Sequence, residues 1–416
     1  MTSALTDQLA LLYRVSQTFN SSLDLNEVLT LVMDEVIAAL RAERGFLMLR
    51  EDGGALVFRS ARGMNQQTID APEFQISRGV VERVAREGVP ILTGDAQSDS
   101  QLSIQNSVMM LGLRSILCVP LQLKGKVLGV IYVDNNLFAG IFSKSHLELL
   151  TAIAASAAIA IENARLYQLA VEKGRMEREL QLARDVQAGL LPRSTPDIPG
   201  WQFAAWWKPA REVAGDYYDF IFGEGGRIGL VIADVTDKGM PAALFMALTR
   251  SVVRASSALP GSAADCLNYA NRLICADSAN GMFVTLFYGQ LDPATGEMTY
   301  VNAGHNPPLL YRAAAGELNT LRPTGAALGV DESFILQQRV LALDPGDTVL
   351  LFTDGATEAM DKNEQFFGQE NLERVLWENR DSSAEKIIAA FENALREHIG
   401  DTAPYDDITL MVIKRL

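Results

Sequence analysis

The chain has 416 residues, enough for two or three domains at roughly 150 residues each. Hydrophobic residues make up 48% and charged residues 21%, a globular composition that excludes wholesale disorder. Lys plus Arg total 36 against 51 Asp plus Glu, a formal net charge of −15. A surface this acidic repels phosphate backbones and anionic lipid, which argues against nucleic-acid and membrane-surface partners. The three cysteines, Cys118, Cys266 and Cys275, show neither pairing nor metal spacing, as expected of a reduced cytosolic protein. The longest uncharged apolar run, Leu149 to Ile161, is too short to span a bilayer core of about 30 Å. The opening MTSALTDQLALLYRV has no basic region followed by an uninterrupted apolar core. The expectation is a cytoplasmic protein.

In chain order, Leu5, Leu9, Leu12, Val15 and Phe19 form a helical stripe over residues 5–19. Ser21, Ser22 and Asp24 are candidate caps for a second helix, LNEVLTLVMDEVIAAL. Two β-rich runs around Asp52-Gly53-Gly54 predict a hairpin, and a second hairpin turns at Lys124-Gly125-Lys126. Between them lie a short helical stretch, GVVERVAREG, and a polar segment from Thr93 to Asn106. The helix HLELLTAIAASAAIAIENARLY closes the block. Helix, antiparallel sheet and helix make an α+β domain over residues 21–163, preceded by an N-terminal helix over 1–20.

This block resembles a GAF domain, through the order of its elements and through VPLQLKGKVLGVIYVDN followed by SKSHLELLTAIAASAAIAIENARLY. The resemblance implies a small sensory fold with a ligand, of unknown identity, between sheet and loops. It also implies dimerisation through the flanking helices. Cys118 and His146 are the only soft ligands in the block; one sits mid-strand and the other opens a helix. Core packing for Cys118 and a surface or cap position for His146 are expected, with no haem or bilin.

From Leu166 the helix carries a seven-residue repeat. One column is Leu166, Lys173, Leu180 and Gln187; the other is Leu169, Met176, Ala183 and Leu190. Such columns read as a coiled-coil seam joining two copies of the chain in parallel over residues 166–190. Pro192, Pro196 and Pro199 end the helix, so 164–194 is expected to be a helical linker. A helix packed on its own chain is the other reading of the same pattern.

The chemistry concentrates after residue 195. Asp216 and Asp219 lie in REVAGDYYDFI; Asp234 ends the apolar run RIGLVIAD; Asp354-Gly355 follows DTVLLFT; Asp406 and Asp407 precede the final strand. Any one such aspartate is more often a cap or a turn residue. Four acidic segments at the ends of buried-looking strands can instead converge. Clustered carboxylates raise one another's pKa unless a cation neutralises them. Oxygen donors without His or Cys suit Mg²⁺ or Mn²⁺ rather than Zn²⁺ or Cu²⁺.

GDYYD, DVTDKGMPAAL, NAGHNPPLL, TDGATEA and DDITL, in that order, with ARDVQAGLLP before them, resemble the metal-dependent protein phosphatase (PPM) family. The similarity is to its bacterial sporulation-protein-E and RsbU-like branch. The resemblance implies a helix-flanked β-sandwich over residues 195–416, two Mn²⁺ or Mg²⁺ ions, and hydrolysis of phosphoserine or phosphothreonine on a protein. It assigns Asp216, Asp234 (with the Val235 carbonyl), Asp354 and Asp406 as metal ligands, and places Asp219, Gly355 and Asp407 beside them. His305, in AGHNPP, is the available proton donor by residue type, although the resemblance carries no catalytic role onto it and a structural one is expected. Ala214 and Asp237 stand where the family usually has glycine. The implied substrate is a phosphorylated STAS-type anti-anti-sigma factor in a partner-switching pathway. A non-catalytic sensor or scaffold and a small-molecule phosphoesterase are the alternatives.

Overall fold

The computed structural model describes the chain apart from residues 1–9, 11–12, 20, 52, 66, 70–75, 94–113, 137, 279–280 and 403. It divides into two compact units, Met1–Met176 and Glu177–Leu416.

In the first unit five antiparallel strands run in the order β2-β1-β5-β4-β3: β1 (Arg44–Arg50), β2 (Leu56–Gly63), β3 (Ile91–Thr93), β4 (Ser115–Leu123) and β5 (Lys126–Asn135). Both expected hairpins form, β1 with β2 and β4 with β5. The second turns through Lys124 and Gly125, both with positive φ (49° and 81°), the backbone twist that short hairpin turns favour. Helix α1 (Leu25–Leu40) starts where the Asp24 carboxylate accepts from the backbone N–H groups of Asn26 and Glu27, as a cap should.

The sheet is covered on both faces. Leu47, Val119 and Ile131 pack with α1 and with Ile153, Ala157 and Ile161 of α3 (Lys144–Leu190); Phe46, Cys118 and Tyr132 pack against α2 (Arg78–Glu87). Cys118 is therefore a core residue, its thiol pushed up by burial. His146 sits half-buried in the first turn of α3, where its Nδ1 accepts from the Ser143 N–H at 3.4 Å. Residues 13–19 are helical, with Val15 and Phe19 buried. Leu5, Leu9, Leu12, Asp52 and residues 94–106 lie outside the described residues.

Helix α3 is 47 residues long and runs unbroken from Lys144 to Leu190. Its apolar run is hydrophobic because it packs in the first unit's core: Leu150, Ile153, Ala154, Ala157, Ala158 and Ile161 are all buried. Beyond it Leu166, Leu169 and Met176 are exposed, while Leu180, Ala183 and Leu190 are half-buried. Gln187 departs from the expected seam. It is buried and bonded to the chain's own backbone, because a primary amide can satisfy a peptide N–H and C=O together.

The second unit is a sandwich of two five-stranded sheets, ordered β13-β10-β9-β8-β7 and β12-β11-β14-β15-β6, in which β10 is Glu297–Ala303, β11 Leu309–Arg312, β12 Glu317–Thr320 and β13 Arg339–Ala342. The strands that matter most are β6 (Trp201–Lys208), β7 (Tyr217–Phe222), β8 (Ile228–Val235), β9 (Val284–Asp292), β14 (Thr348–Phe352) and β15 (Ile408–Arg415). Phe203, Phe220, Ile232, Phe287, Leu351 and Met411 fill the space between the sheets. Helices α4 (Met240–Ser257) and α5 (Ala263–Asp277) cover the first sheet. The second is covered by α7 (Gly368–Glu378) and α8 (Ala384–Ile399), which follow a single turn, α6 (Asp354–Thr357). Along β8, Leu230 and Ile232 face the other sheet while Val231 and Ala233 face the helices. Burial on both sides explains strands that are apolar at every position and polar only where they end.

Candidate metal centre

The strand ends place the acidic segments. Asp216 immediately precedes β7 and Asp234 is the penultimate residue of β8, in one sheet; Asp354 follows β14 and Asp406 precedes β15, in the other. The two sheets meet at Asp216. Its Oδ2 accepts from the Thr353 hydroxyl at 2.7 Å and the Thr409 hydroxyl at 2.6 Å. Those threonines are themselves paired: Thr353 N–H donates to the Thr409 carbonyl and Thr409 N–H donates to Thr353 Oγ1, both at 3.0 Å. The Asp216 carbonyl accepts from Trp207 Nε1 at 3.1 Å, so side chain and backbone are both fixed.

Burial raises the Asp216 pKa well above the carboxylate range, helped by the charges of Asp234 and Asp407 and opposed by the two hydroxyl bonds. Asp234 is pushed up to about 7, first by burial and then by the charges of Asp354 and Asp406. Asp354 reaches about 6 through burial, Asp406 and Glu358. These carboxylates repel one another in a largely desolvated site, and a positive charge would hold them ionised.

A lysine partly supplies it. Lys238 Nζ lies 2.8 Å from Asp406 Oδ2, donates to the Tyr405 carbonyl at 2.9 Å and sits 4.1 Å from the centre of the Tyr405 ring. The donors are oxygens only, which fits a hard divalent cation. Among the described residues, no three His, Cys, Asp or Glu side chains close into a single metal cage.

The neighbouring residues have distinct tasks. Asp407 accepts from the N–H groups of Ala210 and Gly215, both at 2.8 Å, and so ties down the loop that leads to Asp216. Gly355 is needed for close approach: a Cβ there would lie 1.9 Å from the Asp407 carbonyl oxygen. At Gly215 a Cβ would lie 2.9 Å from the Val235 carbonyl oxygen, which puts that carbonyl beside the Asp216 loop. Ala214 is buried without positive φ, so alanine costs nothing conformationally. Asp237 has φ 74°, a left-handed position that glycine adopts freely and aspartate tolerates; its side chain is exposed.

Asp219, expected beside the ligands and not among them, accepts from Arg254, whose Nε and Nη2 donate at 2.5 and 2.6 Å, and pairs with Arg250 at 3.3 Å. Two guanidinium groups from α4 neutralise it, and no cation is wanted there. His305 is buried and neutral, its pKa driven down to about 3 by desolvation. Its Nδ1 lies 2.9 Å from Thr285 Oγ1, and its Nε2 faces the Phe352 backbone without closing a hydrogen bond.

A family model described as Stage II sporulation protein E (SpoIIE) matches residues 224–416, and one described as a GAF domain matches residues 22–162. The phosphoserine phosphatase RsbU of Bacillus subtilis (strain 168) is 30% identical over 240 residues, which is 58% of this chain and 71% of RsbU. Protein IcfG of Synechocystis sp. is 34% identical over 275 residues, 59% of this chain and 43% of IcfG. The chain thus spans less than half the length of IcfG. In fold, the second unit is similar to the SiaA-PP2C domain of Pseudomonas aeruginosa, with a TM-score of 0.53 at 20% identity over 59% of this chain and 99% of that domain. Matches to both units, and to RsbU over most of its length, show that the chain belongs to the SpoIIE phosphatase family, with a GAF domain preceding the phosphatase domain.

Proposed function

We propose that the second unit hydrolyses phosphoserine or phosphothreonine on a partner protein, using two Mn²⁺ or Mg²⁺ ions held by Asp216, Asp234 with the Val235 carbonyl, Asp354 and Asp406. The observation that carries this reading is the set of buried and half-buried, mutually repelling carboxylates brought together from both sheets, with Asp234 raised to about 7. When bound, the ions would supply an activated water and charge to offset the phosphoryl oxygens, the main need in phosphate monoester hydrolysis.

This chain's residues hold the site in place. Thr353 and Thr409 orient the Asp216 carboxylate, Asp407 fixes the loop before it, and Lys238 adds a positive charge at the rim where an anionic substrate must approach. His305 is too buried, and too firmly tied to Thr285, to protonate a leaving alkoxide. In this reading the first unit is a sensory domain, the substrate is a STAS-type anti-anti-sigma factor, and residues 166–190 without Gln187 join two copies of the chain. Exposed Leu166, Leu169 and Met176 support that seam.

Phosphate release by the full chain with Mn²⁺, from a phosphoserine STAS domain and from a small aryl phosphate, tests the substrate class. A higher kcat/KM for the protein is expected. Equal turnover of both would favour a small-molecule phosphoesterase.

A further inference from the structure

Gln187 is buried to 4% exposure on a turn of α3 whose neighbours Asp185, Val186, Ala188 and Gly189 are exposed. Its amide grips one peptide unit from both sides: Nε2 donates to the Ala214 carbonyl at 2.6 Å, and Oε1 accepts from the Ala214 N–H at 2.9 Å. Asp407 grips the same loop through the N–H groups of Ala210 and Gly215. Two side chains from opposite ends of the unit thus fix the loop over residues 210–215, and Asp216 follows at once.

Only a primary amide performs this task. Glutamate keeps the acceptor and loses the donor, and an apolar residue leaves a buried N–H and a buried carbonyl without partners. Nothing about helix formation requires a glutamine at this position, and its burial serves no apolar core. The bonds go to the residue two before the carboxylate on which both sheets converge.

We infer that Gln187 is a positioning residue for Asp216, which makes the last turn of α3 a structural part of the metal centre. The inference rests on the proposed reading of Asp216 as a metal ligand. Displacing Gln187 frees the Ala214 peptide and lets the Asp216 backbone shift relative to Thr353 and Thr409. In a site of this kind sub-ångström placement of the ligands matters.

The test uses the full-length chain and Mn²⁺. Gln187→Ala should weaken Mn²⁺ binding about tenfold by titration calorimetry, as loss of a buried hydrogen-bonded pair implies. Amide hydrogen exchange should quicken within residues 210–217 and stay unchanged in β8 and β15. Leu182→Ser, on the exposed face of the same helix and outside both heptad columns, should bind Mn²⁺ as the wild type does. If Gln187→Ala does not fold, Gln187→Met keeps the length and packing while removing both bonds, and the same losses are expected. Mn²⁺ binding within twofold of wild type in either folded variant would overturn the inference. Failure of the wild type to bind Mn²⁺ would instead remove the metal reading beneath it, and unchanged exchange at 210–217 would then dispose of the clamp as well.

Discussion

At the scale of single residues, the second unit separates carboxylates that are neutralised from those that are not. Asp219 is neutralised by two arginines, whereas burial raises Asp216, Asp234, Asp354 and Asp407 against the hydroxyl bonds that Asp216 accepts and the backbone N–H bonds that Asp407 accepts. His305 follows a similar logic with opposite sign. It is held near pKa 3 in the folded state against an ordinary 6.5, so the unfolded chain binds the extra proton between those values. The stability contributed by the neutral ring is complete above pH 6.5 and is lost as the pH falls towards 3. His305→Gln should therefore flatten the decline in urea midpoint between pH 6.5 and 4; an equally steep decline in the variant would show that another group is responsible. The aspartates were legible in the sequence because each sits in a short local motif. Thr353 and Thr409 were not, because their hydroxyls point at Asp216 only once β14 and β15 are in register. The partners of Asp219 were not legible for a related reason: its arginines come from a helix 31 and 35 residues further on.

At the scale of elements, the alternation and turn chemistry of the sequence carry most of the fold. Asp24 marks the start of α1, Lys124-Gly125 marks the β4–β5 turn, and doubly buried strands such as β8 read as unbroken apolar runs. The heptad columns were less decisive, since the period of α3 is the same whether a residue faces a second copy or its own chain. Gln187 faces its own chain, whereas Leu166, Leu169 and Met176 are exposed. Leu169 is 51% exposed, so a charge there should not disturb the folded unit. Leu169→Glu should shift the mass measured by light scattering from dimer towards monomer without changing the melting temperature. A wild-type chain that is monomeric at micromolar concentration would contradict the seam.

At the scale of the molecule, a GAF domain is followed in the chain by a SpoIIE-family phosphatase domain, and Lys238 offsets the acidic charge at Asp406. Fold and domain order could be read from ordered motifs; the packing of the Asp216 loop could not, because it depends on Gln187, Asp407 and two threonines that are distant in sequence. The central claim is that the clustered carboxylates form a divalent-metal centre for phosphoprotein hydrolysis. The most direct measurement compares wild type with Asp234→Asn, following Mn²⁺-dependent phosphate release from a phosphoserine protein alongside the melting temperature with and without Mn²⁺. Without metal the variant should melt at or above the wild-type temperature, since one repelling charge is gone. Mn²⁺ should raise the melting temperature and produce phosphate release only in the wild type. Mn²⁺-independent release, or equal release by Asp234→Asn, would contradict the account.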